Sequence, residues 1–219
     1  GFLEYLMTLA NSNFEEWRIQ NPQEDIYCFD LSFDKMSLDG ALFDLEKIKS
    51  ISKDRLAYMS AEIFAQNALD YAKQYNPEFY KLINSDLEYF KAIINIEREQ
   101  EKPRKDYEKY SDVLPIIDFM YDEYYNELFD LGLEFSTNYT NDLLIELLEY
   151  YKMNKNLHLN QEEWFASLKE MAVSRGFAAR GKDFKKNPEL YIGTVGDYAE
   201  IVRIAACAKK NTPNFYDVL

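Results

Sequence analysis

Histidine, cysteine, proline and glycine are all scarce in this chain of 219 residues, at one, two, six and seven. The lone histidine, His158, sits between Leu157 and Leu159 with no acid–base constellation around it. One histidine cannot supply the two Glu-x-x-His motifs of a di-iron bundle. Together with Cys28 and Cys207, at these separations, it makes no zinc site either. The two cysteines form no C-x-x-C pair, so reduced thiols and a cytoplasmic setting are expected. No apolar stretch approaches the ~20 residues needed to cross a bilayer as a helix, and no membrane partner is expected. Gly1 is not an initiator methionine, and no basic, apolar leader follows it, so the sequence reads as a piece cut from a longer chain.

Aromatic and acidic residues are abundant. Hydrophobic residues make up 47%, with 18 Tyr and 15 Phe, enough for one large domain or two small ones. β-Branched residues are not organised in alternating runs, and helical spacing dominates. The fold class read from the sequence is all-α, as two tandem helical bundles. Ser60 precedes Phe64, Ala68, Tyr71, Ala72 and Tyr75 at helical spacing, and Asn76-Pro77 ends that helix and caps the next. Thr140 and Asn160 mark two further starts, with Leu147, Tyr151, Trp164, Leu168 and Ala172 inward. The charged stretch around Pro103 is taken as the connection, giving subdomains 1–97 and 111–219 joined by 98–110. Residues 177–194 read as a basic loop, and Val195–Ala208 as the last long helix. Thr212 then reads as an N-cap and Pro213 as the first residue of a new helix with free N–H groups.

Net charge is −14, which argues against general binding of nucleic acid. The distribution is uneven. Residues 175–212 hold eight basic side chains against four acidic ones, a local +4, which leaves −18 for the remainder. An acidic body with a basic end would orient a polyanion. In that end, Arg203 stands in an apolar helix, Lys209 and Lys210 follow, and Phe215 and Tyr216 close the turn. Arginine, a helix N-terminus and adjacent aromatics suit the bases and phosphates of RNA. An ordinary helix turn with an aromatic anchor fits the same residues.

Gly196, Arg203 and Ala205, followed by Thr212, Pro213, Phe215 and Tyr216, resemble the C-terminal helical domain of bacterial glutamyl-tRNA synthetases. That family carries G-x-x-x-x-x-x-R-x-A, a short polar connection and T-P-x-[LF]-[FY]. Three more blocks resemble its clostridial-type members in the right order: GFLEYLMTLANSNFEEWR, KMSLDGALFDLEKI and IEREQEKPRKDYEKYSDV. Lys35-Met36-Ser37 looks like the ATP-loop motif of class I synthetases, but Leu38-Asp39 follows it, and the family's second K-x-S block fits better. No HIGH-type sequence and no glycine-rich phosphate turn is present.

The resemblance implies an anticodon-binding part without catalytic residues and without a cofactor of its own. ATP and Mg²⁺ would belong to the parent ligase, and the partners would be tRNA-Glu, with tRNA-Gln as a second candidate, and the missing catalytic domain in cis; a monomer is expected. It implies anticodon contacts by Arg203, Thr212, Pro213, Phe215 and Tyr216. Glu200, which stands where the family often has Gln, is a further anticodon-contact candidate, since its carboxylate can accept from a cytosine amino group though it repels phosphate; it could instead pair with Arg203 at i, i+3. Arg98 or Arg104 would read the third base. Lys185, Lys186, Lys209 and Lys210 are the expected phosphate contacts. The rival reading is an acidic helical module that binds a basic protein partner.

Overall fold

A computed structural model describes residues 1–36, 40 and 42–219. The chain divides into two compact units, Gly1–Ile116 and Ile117–Leu219. Both are helical, and among the described residues the only β-type pairing is an isolated parallel bridge, Ala178 with Thr194. The all-α class is therefore correct.

The first unit holds α1 (Phe2–Ala10), α2 (Phe14–Gln20), α3 (Leu45–Ala57), α4 (Ala61–Tyr75), α5 (Pro77–Ser85) and α6 (Leu87–Asn95). Side-chain caps set their starts. Asp44, Ser60, Asn76 and Asp86 each accept the backbone N–H three residues on, at 3.0, 3.3, 3.1 and 2.9 Å. Phe64, Ala65, Ala68 and Ala72 of α4 are fully buried, as are Phe79, Ile83 and Phe90 opposite them. α3 is not anticipated by the sequence reading. Its apolar residues are diluted by six charged ones, and only Leu56 and Ala57 are fully buried.

The charged stretch 98–110 packs into the first unit. Arg98 and Tyr107 are both buried there, and the division of the chain falls after Ile116, in the short helix α7 (Val113–Ile117). Two ion pairs tie this stretch to α3, Lys105 with Asp54 at 2.6 Å and Lys53 with Glu108 at 3.2 Å. A high charge density marks a linker only when the charges face water. Here Arg98 faces the core.

The second unit holds α8 (Asp122–Asp130), α9 (Asn141–Asn154), α10 (Gln161–Ser174), α11 (Gly181–Lys186), α12 (Val195–Cys207) and α13 (Phe215–Val218). Thr140 caps α9, and Asn160 forms a capping box with Glu163 at α10. Leu147, Tyr151, Trp164, Leu168 and Ala172 lie inside, as expected, with Phe177, Tyr198 and Ile201. Gly176, at φ +90°, ends α10 in a conformation that L side chains rarely adopt. The expected loop 177–194 instead contains α11 and a 3₁₀ turn, Pro188–Leu190.

Candidate nucleic-acid interface

α12 places the central arginine. Thr194 and Asp197 form a reciprocal capping box at its start, and Tyr198, Ile201, Val202, Ile204 and Cys207 bury its inner face. Arg203 lies between two core residues on a helix edge and is half-buried. The helix stops at Ala208, in the left-handed region at φ 53°, whose N–H bonds the Ile204 carbonyl at 2.8 Å. This reversal turns residues 209–216 back beside the last turn of α12. Arg203 Nη1 donates to the Lys210 carbonyl at 3.3 Å, and its guanidinium lies 5.5 Å from the centre of the Phe215 ring. Its Nε is out of contact with solvent and has no hydrogen-bond acceptor. Among the described residues no carboxylate pairs with Arg203.

Glu200 does not pair with it. That carboxylate accepts the Ser136 N–H at 2.7 Å and the Ser136 hydroxyl at 2.9 Å, fastening the loop before α9 to α12. Tyr125 adds a second tie, its hydroxyl donating to the Ala205 carbonyl at 2.7 Å. The sequence reading named neither Ser136 nor Tyr125. A Ser-Thr-Asn run at 136–138 marks a turn, but nothing local ties it to α12.

The closing turn departs from expectation in its cap. The last helix begins at Phe215, and its N-cap is Asn214, whose side chain accepts the Tyr216 N–H at 3.1 Å. The Thr212 hydroxyl instead donates to the Pro213 carbonyl at 2.9 Å, and Pro213 is buried. Asparagine ranks with the best caps, and a start at 215 points Phe215 into the core. The free N–H groups expected after Thr212 are not found there, because Asn214 accepts those of Tyr216, Asp217 and Val218. Phe215 is 3% exposed and packs edge-on against Trp164 at 5.7 Å. Tyr216 is half-buried, and its hydroxyl donates to the Leu159 carbonyl at 2.9 Å. Phe215 is therefore an anchor under the arginine, and Tyr216 offers part of its surface.

The lysines differ too. Lys209 pairs with Asp118 and lies over the Phe119 ring at 5.9 Å, so its charge is already engaged. Lys185, Lys186 and Lys210 are exposed. The two mid-chain arginines belong to the first unit. Arg98 is 5% exposed and donates to the carbonyls of Ile94, Leu56, Ala57 and Met59, with its guanidinium 4.1 Å from the Phe64 ring centre. Burial holds its pKa below the usual arginine value. It closes the carbonyl ends of α3 and α6, where a cation is favoured, and presents no fork to a ligand. Arg104 is clamped by Glu97 at 3.3 Å and Asp106 at 2.5 Å. Lys35 ends a 3₁₀ turn, Phe33–Lys35, and Ser37 beside it lies outside the described residues.

No described helix is long and apolar enough to cross a membrane. No described cluster of three or more His, Cys, Asp or Glu is placed to hold a metal ion.

Fold and site thus define a two-unit helical protein whose second unit carries a half-buried arginine seated on an aromatic ring. Comparison with known proteins gives the family. The chain is 37% identical over 217 residues to the glutamate–tRNA ligase of Clostridium perfringens, covering 99% of this chain and 40% of that protein. It is 38% identical over 215 residues to that of Acetivibrio thermocellus, covering 98% and 39%. To the ligase of Sorangium cellulosum it is 34% identical over 223 residues, covering 100% and 38%. No protein-family profile and no solved structure matches the chain. Similarity along the whole chain makes it a portion of a protein of the glutamate–tRNA ligase family, spanning about 40% of the length of these relatives.

Proposed function

We propose that this chain is the C-terminal, tRNA-reading part of a glutamate–tRNA ligase, and that its second unit reads the anticodon around Arg203. The observation that carries the reading is the state of that arginine. It is a half-buried cation in an apolar helix, seated on Phe215, with no carboxylate partner among the described residues. A guanidinium fork in this state suits bidentate contact with a base edge. Tyr216 and Thr212 flank it with partly exposed surface, and Lys210, Lys185 and Lys186 supply charge for phosphates. Glu200 has a positioning role through Ser136.

The first unit is assigned to the tRNA stem and the near side of the anticodon arm. Arg98 takes no part, since its guanidinium is spent on backbone carbonyls. A third-base contact by Arg104 would have to displace Glu97 or Asp106. Activation of glutamate by ATP and Mg²⁺, and esterification of the tRNA 3′ end, belong to the remainder of the ligase in the cytoplasm.

Binding tests this directly. The chain and the full-length ligase are each titrated with tRNA-Glu and with the same tRNA carrying a substituted anticodon, at fixed moderate salt. A loss of about 1–3 kcal/mol per altered base is expected. Indifference to the anticodon in both proteins would overturn the reading and favour the acidic module with a basic protein partner. Binding of tRNA-Gln in the same assay reports whether the ligase accepts both tRNAs.

A further inference from the structure

Ala208 ends α12 in the left-handed region, at φ 53°, a conformation that an L side chain resists and that helix ends ordinarily give to glycine. Glu97 is the only other non-glycine residue with a positive φ among the described residues. A residue held in such a region persists only where its surroundings fix it. Ala208 stands between the two halves of the proposed reader, with Arg203 before it and the Thr212 turn after it.

One neighbouring segment grips the chain on both sides of this reversal. On the helix side, the Tyr125 hydroxyl of α8 donates to the Ala205 carbonyl at 2.7 Å. That carbonyl lies in the last turn, where a helix leaves its acceptors without internal donors. Burial raises the pKa of this phenol, so it stays a donor. On the far side, Asp118 pairs with Lys209. Their side chains are 16% and 22% exposed, so this is not one of the open surface bridges that contribute little. Asp118 and Tyr125 are joined by a 3₁₀ turn, Asp118–Met120, and the first turn of α8, so the grip comes from one short stretch.

The reversal in turn sets the surroundings of Arg203. Its Nη1 donates across the reversal to the Lys210 carbonyl, and its guanidinium rests by the Phe215 ring. A shift at Ala208 moves that acceptor and that ring relative to the arginine together. A bidentate contact with a base edge tolerates little displacement.

We infer that Asp118 and Tyr125 are positioning residues for anticodon reading: acting through α12 rather than on RNA, they hold the reversal at Ala208 so that Arg203 and the turn at 212–216 keep one spacing. The inference rests on the reading of the anticodon by Arg203 and adds to it the device that aims the arginine.

The full-length ligase, wild type and Tyr125→Phe, is titrated with tRNA-Glu and with the anticodon-substituted tRNA at one salt concentration. The ratio of the two dissociation constants should fall about two- to tenfold in the variant, the range that one hydrogen bond supports, while affinity for the substituted tRNA stays as in wild type. Adding Ala208→Gly to Tyr125→Phe should restore the ratio, because glycine holds the reversal without strain. An unchanged ratio in Tyr125→Phe, beside a wild type that discriminates, would overturn the inference and leave the role of Arg203 standing. Equal weakening of both tRNAs would overturn it too, since general loosening of the fold gives that result, and so would a double variant that fails to recover the ratio. A wild type indifferent to the anticodon would overturn both readings.

Discussion

Arg98 shows how far a residue's chemistry depends on which way it points. Among charged neighbours in sequence it resembles a ligand contact, yet its guanidinium satisfies carbonyls at the ends of two helices and stacks on Phe64. Arg98→Ala should lower the stability of the first unit by about 2–4 kcal/mol, from orphaned carbonyls and a lost buried network. Urea unfolding followed by circular dichroism measures this, and anticodon discrimination by the folded protein should not change. Cys207 offers a second case. Burial pushes its thiol from 9.0 up to about 12, and burial likewise raises Tyr198 to about 12. In the unfolded chain the thiol ionises near 9, so between pH 9 and 12 the unfolded state binds fewer protons than the native one. Stability of the second unit should therefore hold below pH 9 and fall as pH rises towards 12. The urea midpoint across that range reads the effect, and a flat profile would mean Cys207 is not enclosed.

Among the elements, the closing turn is the most informative. Asn214→Ala removes the cap of α13 and should cost about 1 kcal/mol of second-unit stability. Phe215→Ala empties a buried site against Trp164 and should cost about 3–5 kcal/mol. A larger effect of Thr212→Ala than of Asn214→Ala in the same urea titration would contradict the assigned cap. The helices at Ser60, Asn76, Thr140 and Asn160 were legible because an N-cap is local chemistry, written within four residues. α3 was not, since its apolar positions are thinned by charge and its one signal was Asp44 as cap. α11 and the turn after it are too short for a helical period to show. That Arg203 stands in the last long helix could be read from spacing, whereas the start of the helix after it, expected at Pro213, lies at Phe215. Which side chains were already taken could not be read that way: Asp118 holds Lys209, Ser136 holds Glu200, and Leu159 holds Tyr216 through contacts distant in sequence.

For the whole molecule, the question is how a chain of net charge −14 binds a polyanion. The proposed phosphate contacts are few, so the fall of log K with log salt should be shallow, set by their number. Replacing Lys185 and Lys186 together by Gln should reduce the slope of log K against log salt by up to about 2. Anticodon preference should survive that change, because phosphate contacts position while base contacts specify. A change in preference without a change in slope would place these lysines on bases. The central claim is the base contact of Arg203, and a double-mutant cycle on the full-length ligase tests it most directly: wild type and Arg203→Ala, each against native and anticodon-substituted tRNA-Glu at one salt concentration. Each change alone should weaken binding by about 1–3 kcal/mol, and the two together should cost little more than one. Fully additive losses would contradict the account, since Arg203 and the anticodon would then act apart.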